Sequence, residues 1–226
     1  MNVTALSEIE QARFNMVEQQ IRPWEVLDQT VLQALFDVQR ERYVPPAMQS
    51  LAFSDVELPL IINSVDTRET MLSPKVEARL AQEMQLKHTD CILEIGTGSG
   101  YQAALLAKLA QQVTSVEVDS RLAAFAVQNL QRNHVDNVKV EVGDAHSGWG
   151  TTEYDAILVT GSVPVVPDAL KYQLRVGGRL VVVVGQNPVM TACRITRTSA
   201  ASFDTKTLFD TVIKPLRGAT ISQFKF

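Results

Sequence analysis

Two cysteines and three histidines in 226 residues leave little material for metal or thiol chemistry. Cys91 and Cys193 each stand in a strand-like apolar context without a histidine cluster beside them, so they read as buried free thiols. No Lys/Arg block is present and the formal net charge is −4, which removes the electrostatic footprint expected for nucleic acid or an anionic membrane. No apolar run approaches the roughly 18 residues of a membrane helix. Glu8, Glu10 and Glu18 stand where a secretion signal would be apolar, so the expected location is the cytoplasm, where a disulfide would be unusual. Internal repeats and low-complexity segments are lacking too. With 46% hydrophobic and 20% charged residues, the chain reads as one globular domain able to bury one substantial core.

The most informative stretch runs from Cys91 to Gln102. An apolar run, Cys91-Ile92-Leu93-Glu94-Ile95, passes through Gly96, Gly98 and Gly100 into the strong helix formers Ala103 to Ala107, giving strand, glycine turn and helix. Such a turn lets a ligand approach backbone amides, and the following helix offers unpaired N–H groups and a positive dipole end. A tight turn between core elements with no ligand would have the same local pattern. The dinucleotide fingerprint G-x-G-x-x-G is not matched, because its third glycine falls on Tyr101. The order acidic-x-Gly-x-Gly-x-Gly instead resembles the first motif of S-adenosylmethionine-dependent methyltransferases. Glu94 would suit the cationic middle and amine of that cofactor, and the amides of the following helix its carboxylate, with Thr97 and Ser99 in the turn among the expected cofactor-binding residues. Val113 to Asp119 reads as a β-branched strand ending in carboxylates. Glu117, next to Val118, is the candidate for the two ribose hydroxyls, and Asp119 for the N-cap of the next helix.

Ahead of the turn, Ser7 to Arg22 has helical periodicity with Ile9, Phe14, Val17 and Ile21 as inward positions, and Pro23 ends it. Asp28 is a plausible N-cap for a helix to about Gln39 that buries Val31, Leu32, Leu35 and Phe36. Together these form a cap or lid on the core. Leu51 to Pro74 shows little periodicity and many polar residues, and reads as a long connection serving either a site or the solvated surface. Ser73 is placed at the N-cap of a helix from Pro74 to Leu86.

Behind the turn, helices and strands alternate. Arg121 to Asn133 is a helix, Val138 to Val142 and Tyr154 to Thr160 are strands, a short helix ends near Arg175, and Arg179 to Val184 is a buried strand. That alternation implies a mainly parallel sheet with helices on both faces. Met190 to Thr196 and Thr207 to Ile213 read as an antiparallel edge.

Several segments together resemble the protein-L-isoaspartate O-methyltransferase family over roughly the whole chain. They are Met16 to Arg22, Arg42-Tyr43-Val44-Pro45, Leu93 to Ala104 with its Gly-Ser-Gly-Tyr-Gln run, Val116-Glu117, Gly143-Asp144, Gly148-Trp149, Tyr154 to Ile157 and Gly177 to Val181. The resemblance implies a Rossmann-like class I methyltransferase fold: a seven-stranded, mainly parallel sheet with an N-terminal helical cap and substrate loop over 1–74 and a cofactor-binding core over 75–226. It implies S-adenosyl-L-methionine as cofactor, S-adenosyl-L-homocysteine as product, and adenine contacts at Asp144 and Ala145, although Asp144 alone could equally be a turn residue. His146 and Trp149 beside it read as a solvated loop residue and a packing lid.

One departure falls at the acceptor side. The family's Gln-Thr-Ile-Ser-Gln-Pro segment, aligned on Pro74, becomes Glu69-Thr70-Met71-Leu72-Ser73-Pro74, which keeps the threonine and puts Leu72 where the family has serine. Its Thr-Ala-Ala segment becomes Thr160-Gly161-Ser162. Carboxylate methylation needs no general base, since the acceptor is already ionised at neutral pH. It needs placement and a donor in a dry site, and Thr70, Ser73 or Arg68 could supply one. The expected activity is carboxyl O-methylation of L-isoaspartyl residues in peptides or proteins. The alternatives are another acceptor, including a small molecule, or a cofactor-binding module without turnover.

Overall fold

The computed structural model describes residues 7–219. Its centre is a seven-stranded sheet in the order β5-β4-β3-β6-β7-β8-β9. The strands are β3 (Cys91–Ile95), β4 (Gln112–Glu117), β5 (Val138–Val142), β6 (Tyr154–Val163), β7 (Leu174–Gln186), β8 (Val189–Arg197) and β9 (Phe203–Asp210). The first five in spatial order run parallel, and β8 and β9 add an antiparallel edge.

Alternate residues of the central strands enter different cores. Ile92, Ala156, Leu158, Val181 and Val183 join one apolar cluster, while Leu93, Ile157, Val159, Leu180 and Val182 join another. That is why these strands read as continuous hydrophobic runs: both faces are covered. The helices are α1 (Glu8–Asn15), α2 (Gln29–Asp37), α3 (Pro74–Glu83), α4 (Tyr101–Leu109), α5 (Ser120–Arg132) and α6 (Asp168–Tyr172). None is long and apolar enough to cross a membrane.

The N-terminal helix is composite. Ser7 and Glu10 form a capping box, but after Asn15 the chain widens into a π-helical turn over Met16–Ile21. The wider turn puts the second half out of phase with the first. Met16, Val17 and Ile21 are therefore buried, whereas Ile9 is 54% and Phe14 43% exposed, against the inward positions expected for both. Asp28 caps α2 through Thr30 N and Val31 N. Both N-terminal segments join the core shared by α3 and α4. They thicken the helical layer on that face of the sheet.

The expected structureless connection is a β-hairpin, β1 (Leu58–Ile62) paired antiparallel with β2 (Val65–Met71). Asn63 and Ser64 at its tip both have positive φ, 50° and 64°, the conformation of a two-residue hairpin turn. Several boundaries also move. The α3 helix stops at Glu83 because Gln85 turns left-handed at φ 49°, the helix before β7 ends at Tyr172, and β9 ends at Asp210 instead of Ile213. Both cysteines are unbonded and only half-buried.

After β9 the chain folds back over the end of β6. Ser162 N donates to Lys214 O and Leu216 N donates to Ser162 O, each at 2.9 Å. A Cβ on Gly161 would lie 2.8 Å from Leu216 N, so only glycine lets this returning segment lie so close.

Candidate active site

The carboxyl ends of β3, β4, β5 and β6 open into a cleft of about 880 Å³, part of it open to solvent. This is where an open α/β sheet binds ligands. Gly96, Thr97, Gly98, Ser99, Glu117, Val118, Asp144 and Ala145 line it, so eight of the expected cofactor residues come together. Gly100 and Glu94 do not line it. Gly100 caps α4 and lets it pack on α5, where a Cβ would approach that of Ala126 to 3.2 Å.

The turn itself is held open by its neighbours. Gly96 has φ +96°, and a Cβ there would collide with the Thr160 hydroxyl, which lies 2.7 Å from Gly96 O and 2.9 Å from Ile95 O. Glu117 Oε2 accepts from Gly98 N at 2.9 Å and its Oε1 accepts from Asp119 N at 3.0 Å. The carboxylate is thus oriented by two backbone amides at the rim of the turn. Asp119 also caps α5 through Arg121 N, and the Arg121 side chain holds its carboxyl well below the usual range.

Beneath the turn, Glu94 is fully buried. Its Oε2 accepts from the Ser115 hydroxyl, which lies 2.6 Å from the Thr97 hydroxyl, while Oε1 has no partner among the described residues. Burial pushes the Glu94 carboxyl up to about 8, with Ser115 opposing and Glu117 and Glu77 adding to the rise. At the far end of the cleft, Asp144 Oδ1 accepts from His146 N at 3.0 Å and lies 2.9 Å from His146 Nδ1. The backbone amide of His146 leads in holding the Asp144 carboxyl below the usual carboxylate range. His146 lines the cleft, whereas Trp149 does not: its ring packs under Gly143 and its Nε1 donates to Glu141 Oε2 at 2.8 Å.

Of the expected acceptor-side residues, only Thr70 lines the cleft, and its hydroxyl donates to Glu57 Oε2 at 3.0 Å. Ser73 is buried at the start of α3 without a side-chain cap bond, and Arg68 is exposed at φ 62° on the hairpin. Leu72 is buried and does line the cleft.

Charged residues that the motifs did not signal also line it: Glu69 on β2, Glu77 on α3, and Lys214 and Arg217 on the returning segment. Burial pushes the Glu77 carboxyl up to about 7 against the pull of Arg40, whose Nε donates to Glu77 Oε2 at 3.0 Å. Pro215 after the last strand is the one local sign that the tail leaves the sheet, and nothing in it points to the cleft.

The cleft fits an adenosyl cofactor by its donor set: the turn around Thr97 and Ser99 and a helix N-terminus at one end, an oriented carboxylate for a diol, and a small apolar residue, Ala145, beside Asp144.

Comparison with known proteins agrees. The sequence model of the "Protein-L-isoaspartate(D-aspartate) O-methyltransferase (PCMT)" family matches residues 11–220. A relative from Rhodopseudomonas palustris, named protein-L-isoaspartate O-methyltransferase, is 39% identical, covering 90% of this chain and 92% of the relative. One from Pelobacter propionicus, named protein-L-isoaspartate O-methyltransferase 2, is 37% identical over 97% of this chain and 96% of its own. Among solved structures, a putative protein-L-isoaspartate O-methyltransferase from Plasmodium falciparum, in complex with S-adenosyl-L-homocysteine, superposes with a TM-score of 0.75. It is 19% identical and the match covers 94% of this chain and 99% of that one. The fold is that of a Rossmann-like methyltransferase. On the family match and the identity across nearly the whole length, the chain belongs to the protein-L-isoaspartate(D-aspartate) O-methyltransferase family.

Proposed function

We propose that the chain is a cytoplasmic enzyme that transfers the methyl group of S-adenosyl-L-methionine to the side-chain carboxylate of an L-isoaspartyl residue in a peptide or protein. The observation that carries the cofactor half is the meeting of Gly96 to Ser99, Glu117 and Asp144 in one cleft, with Glu117 already oriented by Gly98 N and Asp119 N. Membership of the family supports the acceptor half.

In this reading Gly96 to Ser99 receive the methionine end, Glu117 the ribose hydroxyls, and Asp144 and Ala145 the adenine. When bound, the cofactor supplies an electrophilic methyl group on a sulfonium. The chain supplies placement. The hairpin β1–β2 and the segment 211–219 wall the acceptor side, Leu72 and Met71 exclude water, and the Thr70 hydroxyl, the Lys214 ammonium and the Arg217 guanidinium are donors able to hold a carboxylate. No residue has to remove a proton, since the acceptor is ionised at neutral pH.

One observation favours a second reading. Leu72, which cannot donate, and the carboxylate of Glu69 on the hairpin face the acceptor side. Such a wall would also suit an acceptor other than an isoaspartyl carboxylate. Incubation with an isoaspartyl peptide and labelled methyl donor, for the natural chain beside Leu72→Ser, separates the two. A base-labile methyl ester made by the natural chain supports the first reading, and ester made by the variant alone supports the second.

A further inference from the structure

Glu77 and Gln102 are the two most deeply buried polar side chains on the wall of the cleft that none of the roles above uses. Glu77 is 3% and Gln102 5% exposed. They come from the first turns of α3 and α4 and are tied together, because Gln102 Nε2 donates to Glu77 O at 3.4 Å. Gln102 stands two positions after Gly100, so the pair adjoins the glycine turn.

Acceptors outnumber donors here. Arg40 satisfies one oxygen of Glu77 through Nε, while its Nη1 donates to Ala52 O at 3.0 Å and its Nη2 to Leu72 O at 2.7 Å. Among the described residues Gln102 Oε1 is buried without a partner, as is Glu94 Oε1. A buried acceptor left unpaired costs about 1–3 kcal/mol, so a ligand that brings donors gains by satisfying it. A sulfonium carries no N–H and cannot do so; an ammonium carries three.

Resting on the cofactor reading above, we propose that Glu77 and Gln102 together seat the α-ammonium group at the methionine end of the cofactor. The ammonium donates to the free oxygen of Glu77 and to Gln102 Oε1, and its charge faces a carboxylate whose cationic partner among the described residues, Arg40, is shared with two carbonyls. The groups facing Glu77 are Arg40 from the turn before the hairpin, Glu94 from β3, and Tyr101 and Gln102 from α4. Without ligand, burial pushes the Glu77 carboxyl up to about 7. Arrival of the ammonium favours its ionised form, so binding at neutral pH releases a proton to the buffer.

The test is calorimetric titration of the full chain with two probes: S-adenosylhomocysteine, and its deaminated analogue in which hydrogen replaces the ammonium and the carboxylate is kept. The natural chain is expected to prefer the amine-bearing probe by roughly tenfold or more, and Glu77→Gln to reduce that preference below about threefold while holding the analogue as before. A preference kept intact in Glu77→Gln overturns the seat. Should that variant bind neither probe, titration of the natural chain in two buffers of different ionisation enthalpy decides. Proton release with S-adenosylhomocysteine but not with the analogue supports the seat, and equal release with both overturns it. A natural chain that binds both probes equally overturns the seat and leaves the cofactor reading standing, whereas one that binds neither removes both. Failure to methylate an isoaspartyl peptide touches neither.

Discussion

Glu69 Oε1 accepts a hydrogen bond from Arg217 Nε at 2.6 Å, joining residues 148 positions apart in the chain. Lys214 Nζ lies 3.0 Å from the other oxygen of Glu69, and Arg217 Nη2 donates to Thr67 O at 3.0 Å. The hairpin and the returning C-terminal segment are therefore clamped to one another across the acceptor side of the cleft. Glu69→Gln removes the charge that holds both cations. Because the pairs are partly exposed, the global cost is expected within about 1 kcal/mol. Local opening is expected to rise: amides of residues 58–71 and 211–219 should exchange hydrogen faster, and an unchanged exchange map would contradict the clamp.

Gly161→Ala tests how the returning segment is seated. The added methyl would meet Leu216 N and Cα at 2.8 and 2.9 Å, both backbone atoms that cannot rotate away. Overpacking of this kind costs about 1–3 kcal/mol. The expected result is a lowered melting temperature together with loss of the exchange protection of Ser162 and Leu216 amides. A variant as stable as the natural chain would show that the segment is not held there.

Glu117→Ala removes both the ribose-side carboxylate and the brace on Gly98 N. Loss of hydrogen bonds to a charged group is worth roughly 1.5–3 kcal/mol, so S-adenosylhomocysteine affinity should fall at least about tenfold by calorimetry. Unchanged affinity would refute the assignment of Glu117.

Glu94 makes stability depend on pH in a stated direction. Its carboxyl holds its proton up to about 8 in the folded chain, against 4.5 for a free side chain. The folded state then binds more protons than the unfolded one between these values. The stability tied to this group is complete below the lower value and lost as pH rises through the upper one. In ligand-free melts from about pH 5 to about pH 9, Glu94→Gln should decline less steeply than the natural chain. Parallel curves would contradict this.

What the sequence could show was what is encoded locally. The run Cys91 to Gln102 specifies its own turn, and the buried strands β6 and β7 announce themselves because both faces are apolar. The hairpin has no local signature because Pro59 sits inside β1, β2 carries Asp66, Arg68 and Glu69, and its tip is Asn63-Ser64 without the glycine that usually marks such a turn. Periodicity failed at Ile9 and Phe14 because it assumes one helical pitch, and a π turn intervenes. Lys214 and Arg217 were invisible because their place in the cleft follows from the chain doubling back to β6, a long-range event that no neighbouring residue records.

The placement of the cofactor is the claim on which the rest stands. A crystal of the chain soaked with S-adenosylhomocysteine tests it most directly. The account predicts density for the nucleoside over Gly96 to Ser99, with its ribose hydroxyls within hydrogen-bond reach of Glu117 and its adenine beside Asp144 and Ala145. A cleft that stays empty under that soak but takes up a nicotinamide dinucleotide would contradict it.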